Sequence, residues 1–356
     1  MGGLTRRELA LAAAAAGLAP AFPAFADDRQ PAIIAEGGAA EERIVDTRSA
    51  FELAIQQGAD FLQATLVPTK EGALVACRSA ELSATTDVAQ RPEFASRKTT
   101  RSIGGQSVDG WFSEDFTLPE IQTLLTREPD PAAHPQNAKL GGKEPLLSLR
   151  DVLQIARDGC VRTGRTIGVC PRLVHVARYA DLGLDVVGRL ADELGTEGYV
   201  APAAAIWVQA SELEALRTFG RLSRVRRMLM IEAGAPDTAA RTTTAGLGDL
   251  KGVAEAIGPD QALLIDPAAA TFPAPTTLAL DAHNAGLAVF AHTARAQNAT
   301  LPPALRRGAN PNGRGDVGKL LVALFSDRLD GVATDLPADA ARARSQVMRT
   351  LQRSGS

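Results

Sequence analysis

The chain has 356 residues, 45% of them hydrophobic and 22% charged, which is enough apolar material to bury a large core and too much for a disordered polypeptide. A formal net charge of -3 with no run of basic residues sets nucleic acid aside as a partner. The three cysteines, Cys77, Cys160 and Cys170, are odd in number and lack metal-ligand spacing; buried thiols are expected, with a Cys160–Cys170 bridge as the alternative in an oxidising compartment.

The first 26 residues differ from the rest. "TRRELALAAAAAGLAPAFPAFA" places Arg6-Arg7 before an alanine-rich stretch and Ala24-Phe25-Ala26 before Asp27-Asp28, the pattern of a secretory signal with an A-x-A cleavage site. The arginine pair resembles a twin-arginine signal, so residues 1–26 are expected to be removed and residues 27–356 to reach the periplasm or the exterior. No later run approaches the roughly 20 apolar residues of a membrane span.

Beyond the signal, candidate strands are Ala32–Ala35, Phe61–Val67, Ala73–Cys77, Thr166–Pro171, Ala204–Gln209, Arg227–Ile231, Ala262–Ile265, Leu287–Ala291 and Gly331–Thr334. Amphipathic stretches follow most of them, among them Thr47–Gln57 stopped by Gly58, Ala180–Leu194 stopped by Gly195 and Ser211–Phe219 stopped by Gly220. Strand–helix alternation over one domain predicts a parallel α/β sheet, either a barrel or a doubly wound sheet. The count exceeds eight because Lys70-Glu71-Gly72 is too short for a parallel crossover, so the two strands it joins form an antiparallel hairpin. Eight βα units then remain, a TIM (β/α)8 barrel with a hairpin arm, and residues 78–150, rich in Pro, Gly and charge, form an insertion at the C-terminal face of the strands.

Taken in order, "AFELAIQQGADFLQATLVPTKEGALVA", "FSEDFTLPEIQTL", "EPLLSLRDVL", "IWVQAS", "AEAIGPDQALLI" and "DGVATDLPADA" are similar to the glycerophosphodiester phosphodiesterases of periplasmic type, from Pro31 to about Ala343. The resemblance implies a TIM barrel that hydrolyses deacylated phospholipid headgroups, in lipid and glycerol metabolism, with a divalent metal such as calcium. It also implies two histidines as acid and base, the first in a His-Arg-Gly that ends the first strand. Here those three places hold Glu36, Gly37 and Gly38, and the second histidine falls on Arg78. The family's metal carboxylates fall on Val45, Gln63, Thr65 and Arg172.

A calcium site needs several oxygen donors, and a guanidinium neither coordinates a cation nor releases its proton near neutrality. The expectation is therefore no competent catalytic residue, no metal and no cofactor, in a pseudoenzyme of the phosphoric diester hydrolase class. Its candidate ligand-binding residues are Glu36, Gln63, Thr65, Arg78, Arg172, Gln209 and His292, with a small phosphorylated molecule as the ligand class. Two alternatives stay open: the arginines turn to solvent or pair with Glu36, Glu41, Glu42 or Asp46, or Glu36 serves as a base in a rewired hydrolase. Trp207 is expected to share the strand face of Gln209, His175 to sit on a loop beyond the fourth strand, and His134 and His283 to be structural or exposed.

Overall fold

The computed structural model describes residues 30–267 and 271–354, so the expected signal segment lies outside the described residues. Twelve strands appear among them: β1 Ala32–Glu36, β2 Phe61–Pro68, β3 Leu74–Ala76, β4 Thr99–Ile103, β5 Gln106–Gly110, β6 Leu147–Ser148, β7 Gly168–Leu173, β8 Trp207–Ala210, β9 Arg226–Ile231, β10 Ala256–Pro259, β11 Ala288–Ala294 and β12 Gly331–Thr334. Eight of these, in the order β1, β2, β7, β8, β9, β10, β11, β12, pair in parallel, and β12 returns to β1. The sheet is a closed (β/α)8 barrel, which leaves no open edge among these eight strands.

Period-two alternation divides the apolar residues into two layers. Ile34, Phe61, Cys170, Trp207, Met228, Met230, Phe290 and Ala333 point inward and fill the barrel, with the Trp207 and Phe290 ring centroids 5.3 Å apart. Their neighbours Ile33, Leu62, Val169, Val208, Leu229, Val289 and Val332 pack outward against helix residues such as Phe51, Leu153, Leu190, Leu216 and Leu320. Parallel strands buried on both faces read as continuous apolar runs, which is why most were legible in sequence.

The expected strand Ala262–Ile265 is a correction. Gln261–Leu264 is a helical turn capped by Asp260, whose carboxylate accepts from the Ala262 amide at 2.8 Å, and the strand is Ala256–Pro259, six residues earlier. A four-residue apolar run does not distinguish turn from strand, and Gly258-Pro259 disguises the true strand as a loop. Gly258 leaves room there for the Met230 side chain, whose sulfur would stand 2.7 Å from a Cβ inside the barrel. Gly195 and Gly220 lie within the helices Val186–Thr196 and Leu213–Leu222 rather than ending them, and Gly183 (φ 77°) separates Val176–Asp181 from the first of these.

The hairpin arm is as expected: β3 runs antiparallel to β2, with Gly72 at φ 80° in the turn, and β6 extends it. The insertion carries a hairpin that was not expected. β4 and β5 pair from Thr99↔Gly110 to Ile103↔Gln106, leaving Gly104 and Gly105, both at positive φ, as the two-residue turn that suits a right-handed twist. The insertion is fastened over the segment that follows β1: Asn137 donates to the carbonyls of Ala40 at 2.9 Å and Arg43 at 3.0 Å, and Glu144 accepts from the Ser49 amide at 3.0 Å. Cys77, Cys160 and Cys170 are free thiols.

Candidate active site

Carried one step further toward the C-terminal ends of the strands, the inward alternation turns from apolar to charged. Ile34 is followed by Glu36, Phe61 by Gln63 and Thr65, Cys170 by Arg172, Met230 by Glu232, Phe290 by His292 and Ala333 by Asp335. Glu36, Thr65, Arg78, Arg172, Glu232, Asp260, His292, Thr293 and Arg295 line a cavity of about 600 Å³ at this mouth. A second cavity, of about 450 Å³, lies by the insertion hairpin, where Arg97 and Arg101 are already paired with Glu120, Glu114 and Asp115.

Five of the seven expected residues, Glu36, Thr65, Arg78, Arg172 and His292, meet at the mouth. Gln63 and Gln209 are not among the residues that line it and are buried, 3% and 2% exposed. The Gln63 amide donates to Thr65 Oγ1 at 3.2 Å, and the Gln209 amide lies against Met228 Sδ at 3.4 Å. Gln63 pairs in register with Glu36 and Gln209 with Arg172, but both side chains are buried. Trp207 shares the inward face of Gln209 as expected. His175 precedes the helix Val176–Asp181 at φ 53°, outside the mouth's lining, and His283 pairs with Asp330 at 2.9 Å.

Sequence reasoning missed Glu232, Asp260, Thr293, Arg295 and Asp335. The first and the last lie on inward positions just past strands whose register was in hand, so continuing that register from Met228 and Met230 would have found Glu232. Arg295 and Thr293 follow a shift of register in β11 between Ala291 and Ala294, which no alternation rule anticipates.

Glu36 is held in place by its turn. Gly37 and Gly38 have φ of 65° and 88°, and their Cβ atoms would stand 2.2 Å from Val45 Cγ2 and 2.5 Å from the Ala50 carbonyl carbon. Burial alone would raise the Glu36 carboxyl, but Arg295, His292 and Arg78, with a hydrogen bond from Thr293, hold it well below the usual carboxylate range. Arg295 donates to Glu36 Oε1 at 2.9 Å, and Thr293 Oγ1 donates to Oε2.

His292 stands between two carboxylates, its Nδ1 3.6 Å from Glu36 Oε2 and its Nε2 3.6 Å from Glu232 Oε1. Arg172 reaches Glu232 at 2.5 Å and His292 Nε2 at 3.0 Å, and Glu232 is lowered to about 2 by its hydrogen bond with His292 and by the charges of His292 and Arg172, against its burial. Arg172 therefore takes a carboxylate partner, Glu232, that was not among the acids expected for it. Arg78 is exposed and makes no hydrogen bond or ion pair among the described residues, although its charge acts on Glu36, Asp46 and Asp335. Burial raises Asp46 and Asp335 to about 7 each.

The family model described as the glycerophosphoryl diester phosphodiesterase family matches residues 38–338. The chain belongs to this family. The glycerophosphodiester phosphodiesterase GDPD6 of Arabidopsis thaliana is 27% identical over 292 residues, 76% of each chain. The Haemophilus influenzae glycerophosphodiester phosphodiesterase is 25% identical over 210 residues, 57% of this chain and 54% of that one. Among solved structures, the Agrobacterium tumefaciens glycerophosphodiester phosphodiesterase superposes with a TM-score of 0.57 at 16% identity, covering 88% of this chain and 99% of its own. An Oleispira antarctica phosphodiesterase solved with its product sn-glycerol 3-phosphate gives 0.58 at 16%, covering 88% and 96%.

The positions where the resemblance puts the family's divalent cation hold Val45, Gln63, Thr65 and Arg172, and these residues do not fit one. Val45 is buried and packs on the Gly37 turn, Gln63 and Thr65 offer neutral oxygens and bond each other, and Arg172 brings a guanidinium bound to Glu232. A hard cation in the family position would face that guanidinium with no carboxylate at any of the four positions.

Proposed function

We propose that this protein is an exported member of the phosphodiesterase family whose metal-dependent hydrolysis is lost and whose barrel mouth binds a small phosphate-bearing molecule. One observation carries the reading: where the parent chemistry needs a carboxylate-held cation and two imidazoles, the mouth holds Arg–carboxylate pairs and a single lining histidine. Lewis-acid stabilisation of phosphoryl oxygens has no support from such residues.

Arg78 is the group available to a phosphate: exposed at the rim, it presents a planar fork of donors. Arg172 joins by sharing its guanidinium between Glu232 and the ligand, and Arg295 stays on Glu36. The product bound to the Oleispira relative makes sn-glycerol 3-phosphate the first ligand to try. Calorimetric titration of the purified chain with sn-glycerol 3-phosphate tests the binding role. Saturable one-site binding supports it, and heats equal to dilution refute it.

A second reading has one observation in its favour. His292, flanked by Glu36 and Glu232, is an imidazole placed to exchange protons at the mouth. Under that reading any diesterase turnover vanishes in His292→Gln. Export rests on Arg6-Arg7, and replacing both with lysine is expected to leave precursor in the cytoplasm.

A further inference from the structure

The insertion brings His134, which was expected to be structural or exposed, against the barrel loops, and the contact has the composition of a metal site. A ring nitrogen of His134, a carboxylate oxygen of Glu41 and one of Asp335 all lie within 4.8 Å of one another. His134 Nε2 is 3.3 Å from Glu41 Oε2, and the Gln297 amide end is 3.0 Å from the same nitrogen and 3.1 Å from the same oxygen. Tetrahedral ligands at about 2.1 Å from an ion stand about 3.4 Å apart, the spacing His134 Nε2 and Glu41 Oε2 already have.

Two further observations point into the cluster. Asp335, 5% exposed, keeps Oδ1 without a hydrogen-bond partner, while its Oδ2 faces Arg295 Nε at 3.8 Å. Gln297, 9% exposed, also has a buried Oε1 without a partner, and a half-turn of its amide would exchange that oxygen with the nitrogen now facing His134 and Glu41. On the far side of the imidazole, Glu128 Oε1 lies 3.3 Å from Nδ1. A carboxylate on that nitrogen fixes the tautomer that leaves the Nε2 lone pair for a metal. Glu41 Oε1 is held by Arg314 at 3.2 Å, so Oε2 is the oxygen left to the cluster.

We propose that Glu41, His134 and Asp335, completed by Gln297, form a binding site for a divalent transition-metal ion that pins the insertion to the barrel mouth. Imidazole with carboxylate oxygens suits zinc and its neighbours and not calcium, so this site is no substitute for the family's own. The ligands come from the loop after β1, the insertion, the loop after β11 and the end of β12, so one ion ties four segments. Arg295 also joins Asp335 to Glu36, so the pinned segment abuts the mouth.

The test is equilibrium dialysis of the tag-free, chelator-stripped full chain against zinc, with metal counted per chain and melting followed in parallel. One zinc per chain and a raised melting temperature are expected in the wild type. His134→Gln should lose that zinc, and Glu128→Gln, which keeps all ligands, should weaken it about 10–100-fold. Where His134→Gln does not fold, Glu128→Gln decides by the same criterion. No stoichiometric zinc in the wild type, or zinc retained with unchanged affinity in the deciding variant, overturns the proposal.

Discussion

At the scale of single residues, the mouth is a set of replacements that compensate one another. Glu36 stands at the histidine position, and Arg295, arriving from β11, neutralises it; Arg172 stands at a carboxylate position, and Glu232 answers it. Arg78 alone among these arginines has no ion pair with a described residue. Arg78→Ala is therefore expected to weaken sn-glycerol 3-phosphate binding at least tenfold while moving stability by no more than about 0.5 kcal/mol, the usual range for exposed substitutions. Arg172→Ala should weaken the same binding and also cost up to about 1 kcal/mol, since Glu232, 41% exposed, loses its partner in a partly wet site. Calorimetry and denaturant melts on both variants check this.

Asp46 offers a pH signature. Its carboxyl is raised from an ordinary 3.8 to about 7 by burial, so between those values the native state keeps a proton that the unfolded chain has released. Stability contributed by this group is present below about pH 4 and is lost as pH rises through about 7. Glu36 and Glu232 act the other way, their stabilisation being lost as pH falls below the ordinary glutamate value of 4.5. Asp46→Asn should stabilise the chain by about 1 kcal/mol or more at pH 8 and by much less at pH 4, read from urea midpoints at the two values.

At the scale of elements, the strands were legible where both faces are buried, because an unbroken apolar run of that length between amphipathic helices fits a buried parallel strand and little else. β10 was not legible, since Gly258, which lies against Met228 and Met230 inside the barrel, and Pro259 read together as a turn. The insertion hairpin β4–β5 hid for a related reason: its strands are polar and half-exposed, so only Gly104-Gly105 marked it. The rim was half legible. Residues in regular strand pairing could be placed by register, whereas Thr293, within the irregularity in β11, and Arg295, just past it, could not.

The turn that ends β1 is an element whose sequence has one solution. Gly38 lies at φ 88° with Ala50 backbone 2.5 Å from where a Cβ would be. Gly38→Ala should cost about 3 kcal/mol or more, by left-handed strain and by a clash with backbone that cannot turn aside, measured as a fall in the denaturation midpoint. Val45 fills the space beside Gly37, so any side chain at 37 would meet it.

At the scale of the whole molecule, the barrel is sound and the altered part is confined to its mouth. Two apolar layers are filled, the parallel sheet is closed, and the family match extends over residues 38–338. One fold hosts many chemistries, so function must be argued from the site. The most direct test of the central claim is release of glycerol 3-phosphate from glycerophosphocholine by the purified chain, followed across a calcium titration with a competent family enzyme run alongside. No calcium-dependent release above the uncatalysed background is predicted; calcium-dependent turnover that is lost in Glu36→Gln would contradict it.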